Sequence, residues 1–223
     1  MSCRSSTASS QREYQENVRD TFACLKRAGT AAGLRGIDIG GGGVLVPVAE
    51  AHAGDAALIE TLTRWREQSA FAFPTDVEVT TEGTARWLRM GLLDAEDRML
   101  WLVTGRDGRP LGHMGFANAL NERRELELDN VVRGEAEQPG IMGAALHVLT
   151  GWARDRLRPA TISLRVLADN HHALSFYRER GWREELRIPL RRVDEGGCSY
   201  FEEAGNGHPA DREFVKMVLP PTR

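Results

Sequence analysis

Apolar side chains along this chain recur with two periods, and the switches between them mark out its elements. Tyr14, Val18, Phe22 and Leu25 repeat every three or four residues, which predicts a short amphipathic helix behind a Ser-rich start, residues 1–10, that reads as disordered. The tract Gly40-Gly41-Gly42-Gly43 precedes a strand-like run, Val44 to Val48. It lacks the Lys-Ser/Thr of a phosphate loop, so it reads as a flexible linker. Further on, the periods predict helices over about 55–68 and 81–93 and strands over 98–104 and 111–117. Arg106-Asp107-Gly108-Arg109 joins those strands as a hairpin turn, since Asp-Gly accepts positive φ angles. A strand over 125–132, a helix over about 141–157 and a strand over 161–167 come next. A helix after Asn170, a strand near 182–193 and a last strand over 213–219 complete the order. The hydrophilic stretch Asp194 to Asp211, rich in Gly and acidic residues, reads as a long loop, either a binding element or disordered.

Early antiparallel strands followed by helix-connected strands imply an α/β (α+β) fold. Its central sheet is mixed and mostly antiparallel, with helices on both faces. With 223 residues and 41% hydrophobic content the chain fits one domain, residues 44–220, preceded by a 43-residue tail. A net charge of -3 and no long Lys/Arg run argue against a nucleic-acid partner, despite Arg123, Arg124 and Arg133. Cys3, Cys24 and Cys198 are scattered, with no C-x-x-C pair or secretory leader, which suggests a reducing, cytoplasmic setting. No apolar run approaches the roughly 20 residues that cross a bilayer, so no membrane role is expected.

Chemistry concentrates in two places. In Asp169-Asn170-His171-His172-Ala173-Leu174-Ser175-Phe176-Tyr177, running on to Gly181-Trp182, Asn170 is a natural N-cap and Gly181 a natural C-cap. Asn170, Ala173 and Tyr177 share one helix face, with Ala small enough for close ligand approach. In Arg133-Gly134-Glu135-Ala136-Glu137-Gln138-Pro139-Gly140-Ile141-Met142-Gly143-Ala144, a polar turn opens a helix whose free N–H groups and dipole suit a pyrophosphate. Together these resemble the GCN5-related N-acetyltransferase (GNAT) superfamily. Asn170, Ala173, Phe176, Tyr177, Gly181 and Trp182 match its late-helix pattern, and the element order over 44–220 matches its fold. The resemblance implies that acetyl-CoA (coenzyme A) lays its diphosphate on the turn formed by Gln138, Gly140, Ile141, Met142, Gly143 and Ala144. Ile141 there departs from the family's inner glycine. It also implies that strands 125–132 and 161–167 splay apart and that the pantetheine arm bonds the backbone of Val131 and Val132 as an added strand.

Acyl transfer to an amine depends mostly on positioning. A backbone N–H of Val131 or Val132 would hold the carbonyl oxygen as charge develops. Tyr177 matches the family's general acid toward the departing thiolate. Glu125, Glu127 and Asp129 alternate on one strand face, and Glu127 and Asp129 together are the candidate base, with solvent-facing carboxylates as the plain alternative. His113 is the second candidate, although a lone histidine near Gly112 and Gly115 is more often structural, while His171 and His172 fall on the outer first turn of the motif helix. The scattered histidines give no metal site, and no Gly-x-Ser-x-Gly elbow supplies a serine triad.

Residues 73–76 and 84–88 belong to the segment that, by the resemblance, shapes the acceptor pocket, and their mixed lining suits a small polar amine. The run 127–142 also looks like GNAT proteins of bacterial sugar or natural-product pathways, which points to a nucleotide-linked amino sugar. The other readings are acylation of a protein or peptide amino group, and a non-catalytic acyl-CoA-binding module. The N-terminal helix suggests a homodimer.

Overall fold

The run Met99-Leu100-Trp101-Leu102-Val103 carries no charged side chain, and it becomes a strand buried on both faces. Successive side chains alternate: Met99, Trp101 and Val103 enter one core, Leu100 and Leu102 the other. The computed structural model describes residues 3–27, 36–76, 78–196, 198–205 and 210–221. Its elements are α1 (Cys3–Arg27), β1 (Ile37–Gly40), β2 (Gly43–Pro47), α2 (Ala56–Gln68), β3 (Thr75–Asp76) and α3 (Thr81–Arg86), continued by a π-helical stretch, Trp87–Leu93. β4 (Met99–Thr104), β5 (Pro110–Ala117), β6 (Glu125–Arg133), α4 (Ile141–Arg156), β7 (Thr161–Leu167) and α5 (His171–Arg178) follow, then β8 (Arg183–Glu195), β9 (Cys198–Glu203) and β10 (Arg212–Leu219). The strands form one sheet in the order β1-β2-β4-β5-β6-β7-β10-β8-β9-β3. Among the described residues only β6 and β7 pair in parallel. Residues of α1, α4 and α5 fill one core, while α2, α3 and the π-helical stretch fill the other, so the sheet is the expected mixed, mostly antiparallel one.

Four local expectations are corrected. The Ser-rich start is part of α1, which begins at Cys3, and Tyr14, Val18 and Phe22 lie in the main core. The glycine tract is not a linker. Gly40, Gly41 and Gly42 have φ of 78°, 62° and 83° and make the turn that pairs β1 with β2. The helix expected over 81–93 changes winding at Trp87: the N–H of Asp94 reaches back five residues to the carbonyl of Arg89 (2.9 Å), and Leu88, Leu92 and Leu93 all enter the second core. Finally, much of the stretch 194–211 is a hairpin, with β9 pairing along the end of β8 and then with β3. The Gly-Gly at 196–197 is a hairpin signal that outweighed the acidic composition, though Gly197 and residues 206–209 lie outside the described residues.

Candidate active site

The site originates in a fault in the alternation of β6. Leu126 and Leu128 point into the α1/α4 core, yet Val132, an even number of residues on, points into the opposite core. The ladder to β5 shows the cause: His113 pairs with Val132 and Gly115 with Asp129, so Asn130 and Val131 oppose the single residue Met114. This is a β-bulge, and Asn130 adopts φ 52°, a left-handed conformation that Asn tolerates better than most residues. Pairing of β6 with β7 runs from Glu125↔Thr161 to Leu128↔Leu164 and ends where the bulge begins. Beyond it the strands part, as expected.

His113 supports the bulge from beneath. Its Nδ1 lies 2.7 Å from the carbonyl oxygen of Asn130 and donates to it in the neutral tautomer. The ring is 1% exposed, packed near Trp65 and Trp87, and its Nε2 has no partner among the described residues. Burial lowers its pKa to about 4; the bond to Asn130 opposes the shift and the nearby Arg66 adds to it. These contacts accord with the structural reading of this histidine.

Two cavities meet at the parted strands. One, of about 550 Å³, is a cleft whose walls include Val131, Val132, Gln138, Gly140, Met142, Gly143, Asn170, Ala173 and Tyr177. Trp65, Phe71 and Ala72 cover it from the end of α2 and the turn beyond. The other, of about 180 Å³, is bounded by Phe73, Pro74, Glu127, Asp129, Arg165 and Phe214 and shares Val131, Asn170, Ala173 and Tyr177 with the first. The expected helix face is thus formed: Asn170 caps α5 by accepting from the N–H of Ala173 (3.1 Å), and Tyr177 stands at the junction of the two spaces. Ile141 and Ala144 stand apart from the cleft walls. Ile141 enters the main core and lies beside Gly43 of the β1–β2 hairpin, so it anchors the start of α4 where the family's pattern has a glycine.

The two carboxylates are held differently. Glu127 is gripped by Arg165, with Nε to Oε1 at 2.7 Å and Nη2 to Oε2 at 3.1 Å, and also accepts from Asn118. Asp129 receives the Asn130 side-chain amide on Oδ2 (2.6 Å) and has Arg98 3.6 Å away. Burial raises the pKa of Asp129, and Glu127 adds to this; Arg98 and the Asn130 bonds oppose it. Tyr177 is 7% exposed, and burial, reinforced by the Asp129 carboxylate, lifts its phenol well above the ordinary tyrosine range. Near neutrality its proton therefore stays on oxygen.

The cleft fits the expected acyl carrier. Beyond Leu128 the edge of β6 is unpaired with β7, and the first turn of α4 leaves the N–H groups of Met142 and Gly143 for an anion. Gly140, with φ 82°, begins that turn. Sequence reasoning missed Trp65, Phe71, Arg98, Arg165, Arg180 and Phe214. Only Arg180 left a local signal, because it continues the i, i+3, i+7 stripe of Asn170, Ala173 and Tyr177.

The family model for the acetyltransferase (GNAT) domain matches residues 44–183. No curated protein matches the chain. Among solved structures, RimL, a ribosomal L7/L12 alpha-N-protein acetyltransferase, is 14% identical; the match covers 83% of this chain and 93% of that one, with a TM-score of 0.61. The spermidine N-acetyltransferase from Vibrio cholerae in complex with CoA and spermine is 15% identical, covering 80% of this chain and 95% of that one at a TM-score of 0.60. A dodecameric structure of the Vibrio cholerae enzyme is 12% identical, covering 80% and 93% at a TM-score of 0.57. At such identities the likeness establishes the fold alone.

Proposed function

The chain belongs to the GNAT acetyltransferase family, and on that premise we propose that it transfers an acetyl group from acetyl-CoA to the amine of a small polar molecule by direct transfer in a ternary complex. Acetyl-CoA, when bound, supplies the acetyl group activated as a thioester. The observation that carries the proposal is the bulge-opened gap between β6 and β7, with Tyr177 shared by the cleft and the smaller cavity and Asp129 on the wall of the latter.

Val131 and Val132 line the cleft, and a backbone N–H of this stretch holds the carbonyl oxygen as negative charge develops. Asp129, on the wall of the smaller cavity and with its proton affinity raised, accepts a proton from the acceptor's ammonium and so frees the nitrogen lone pair. Glu127, occupied by Arg165, shapes the cavity wall beside it. Tyr177 keeps its proton near neutrality and donates it to the departing thiolate.

The size of the smaller cavity supports a small acceptor. Its 180 Å³ falls below the ~300–1,000 Å³ of pockets that engulf a drug-sized ligand. Its roof is fixed, since the Pro74 carbonyl accepts from the N–H of Phe201 (2.7 Å) and Thr75 pairs with Tyr200. The nucleotide-linked amino sugar suggested by the sequence gains no support from the comparisons, whose named relatives act on spermidine and on a ribosomal protein. A cytoplasmic location belongs to the same reading and accords with Cys24 and Cys198 being free and exposed. Among the described residues no helix is long and apolar enough to cross a membrane.

The test is thiol release from acetyl-CoA with a panel of spermidine, aminoglycosides, free amino sugars and peptides with free N-termini. We expect turnover with at least one of the small amines; turnover confined to the peptides would overturn the small-molecule reading.

A further inference from the structure

Arg180 stands where the cleft meets a second, larger space. It borders the 550 Å³ cleft and also a groove of about 590 Å³ between α4 and the α5–β8 junction, and Gly143 lines both. Its guanidinium is fixed by stacking 3.8 Å above the Phe176 ring and by donating to the Phe176 carbonyl (2.8 Å). So placed, it lies on the first turn of α4: a Cβ added at Gly143 would come within 2.8 Å of Nε and Nη2. Its acidic neighbour, Glu179, is 3.5 Å away and 72% exposed, which leaves the cation largely uncompensated. The other arginine of the cleft, Arg133, is turned onto the carbonyls of Glu135 and Ala136.

From this placement we propose that Arg180 is a phosphate-binding residue of the cofactor site, its guanidinium donating to the diphosphate of CoA where that group rests on the first turn of α4. The inference rests on the acetyl-CoA reading and adds to it a charged contact outside the turn itself. A planar guanidinium offers paired donors to phosphate oxygens, and its stacking on Phe176 means little freedom is lost on binding.

The test is calorimetric binding of CoA and of dephospho-CoA, which keeps the diphosphate and lacks the 3′-phosphate, to the full chain and to Arg180→Met and Arg180→Lys. Wild type should bind both; failure to bind either would refute the cofactor reading itself, a different outcome from failure of this proposal. With wild-type binding established, Arg180→Met should weaken both ligands by the same factor, about tenfold at low salt. Arg180→Lys should recover part of the loss. The loss should shrink as salt screens the contact, which a packing defect would not do. Binding by Arg180→Met within twofold of wild type, a loss confined to CoA, or a loss indifferent to salt would each overturn the proposal.

Discussion

Tyr177 is a buried phenol with a raised proton affinity that touches both cavities of the site. Tyr177→Phe keeps the ring and removes only the proton, so turnover should fall by about a hundredfold or more while CoA affinity stays within about twofold. Stopped-assay rates and calorimetry check the pair, and unchanged turnover would remove Tyr177 from the acid role. Asp129 gives a prediction in pH. A base works when deprotonated, and Arg98 is the cation that holds its pKa down against burial, so Arg98→Met should move the titration of Asp129 to higher pH. Side-chain carboxyl NMR reads that midpoint, with Asp129→Asn identifying the signal. His113 contributes to stability with a definite sign. Its folded pKa of about 4 lies below the unfolded value of about 6.5, so as pH falls through that window the unfolded chain takes up a proton that the folded one refuses. Roughly 3 kcal/mol should be lost between pH 6.5 and 4, and His113→Asn should abolish that part of the slope in denaturant titrations. The helix residues Asn170, Ala173 and Tyr177 were legible in the sequence because helical spacing is local. Arg98 and Arg165 were not, since their partners Asp129 and Glu127 come from strands 31 and 38 residues away in the chain.

At the scale of elements, the decisive feature is a single surplus residue in β6. The strand itself is plain in the alternation of Glu125, Leu126, Glu127 and Leu128, but a bulge depends on the partner strand's register, which no local pattern carries. Asn130, a residue tolerant of left-handed backbone, is its one trace in the sequence. This makes the bulge testable. Asn130→Gly can keep φ near 52° and should leave cofactor affinity nearly intact, whereas a β-branched Val resists that conformation at a cost of about 1–2 kcal/mol. Asn130→Val should therefore lower both the denaturation midpoint and CoA binding, as the chain relieves strain by re-pairing β6 with β7. Equal CoA binding by the two variants would mean that the gap does not depend on the bulge. The β8–β9 hairpin was hidden for a different reason. Most of β8 was read as a strand, but the polar stretch that forms β9 read as loop because its pairing, not a buried face, holds it in place.

Over the whole molecule, the matched family domain begins at residue 44, but the core does not. Phe22 packs edge-on against Trp101 at 6.5 Å, and Trp101 in turn meets Phe116 and Trp152, so α1 supplies part of the wall behind β4 and β5. Polar ties reinforce it: Gln15 donates to the Leu120 carbonyl (2.6 Å), and the Lys26 ammonium donates to the Leu92 carbonyl (2.6 Å) at the end of the π-helical stretch. The apolar stripe that suggested a dimer from the sequence is thus spent within the chain itself, with Tyr14, Val18 and Phe22 all under 5% exposed. If α1 were only a tail, removing it would leave stability unchanged. Because it closes a core, Phe22→Ala should cost about 3–5 kcal/mol in guanidinium unfolding, as expected for a large aromatic deleted from a packed interior. Removal of residues 1–35 should do more, baring Trp101 and Met114 and leaving a chain that aggregates or melts well below the full-length protein. A shortened chain that unfolds at the full-length midpoint would show that the segment, though packed in place, contributes nothing that the domain of 44–183 lacks.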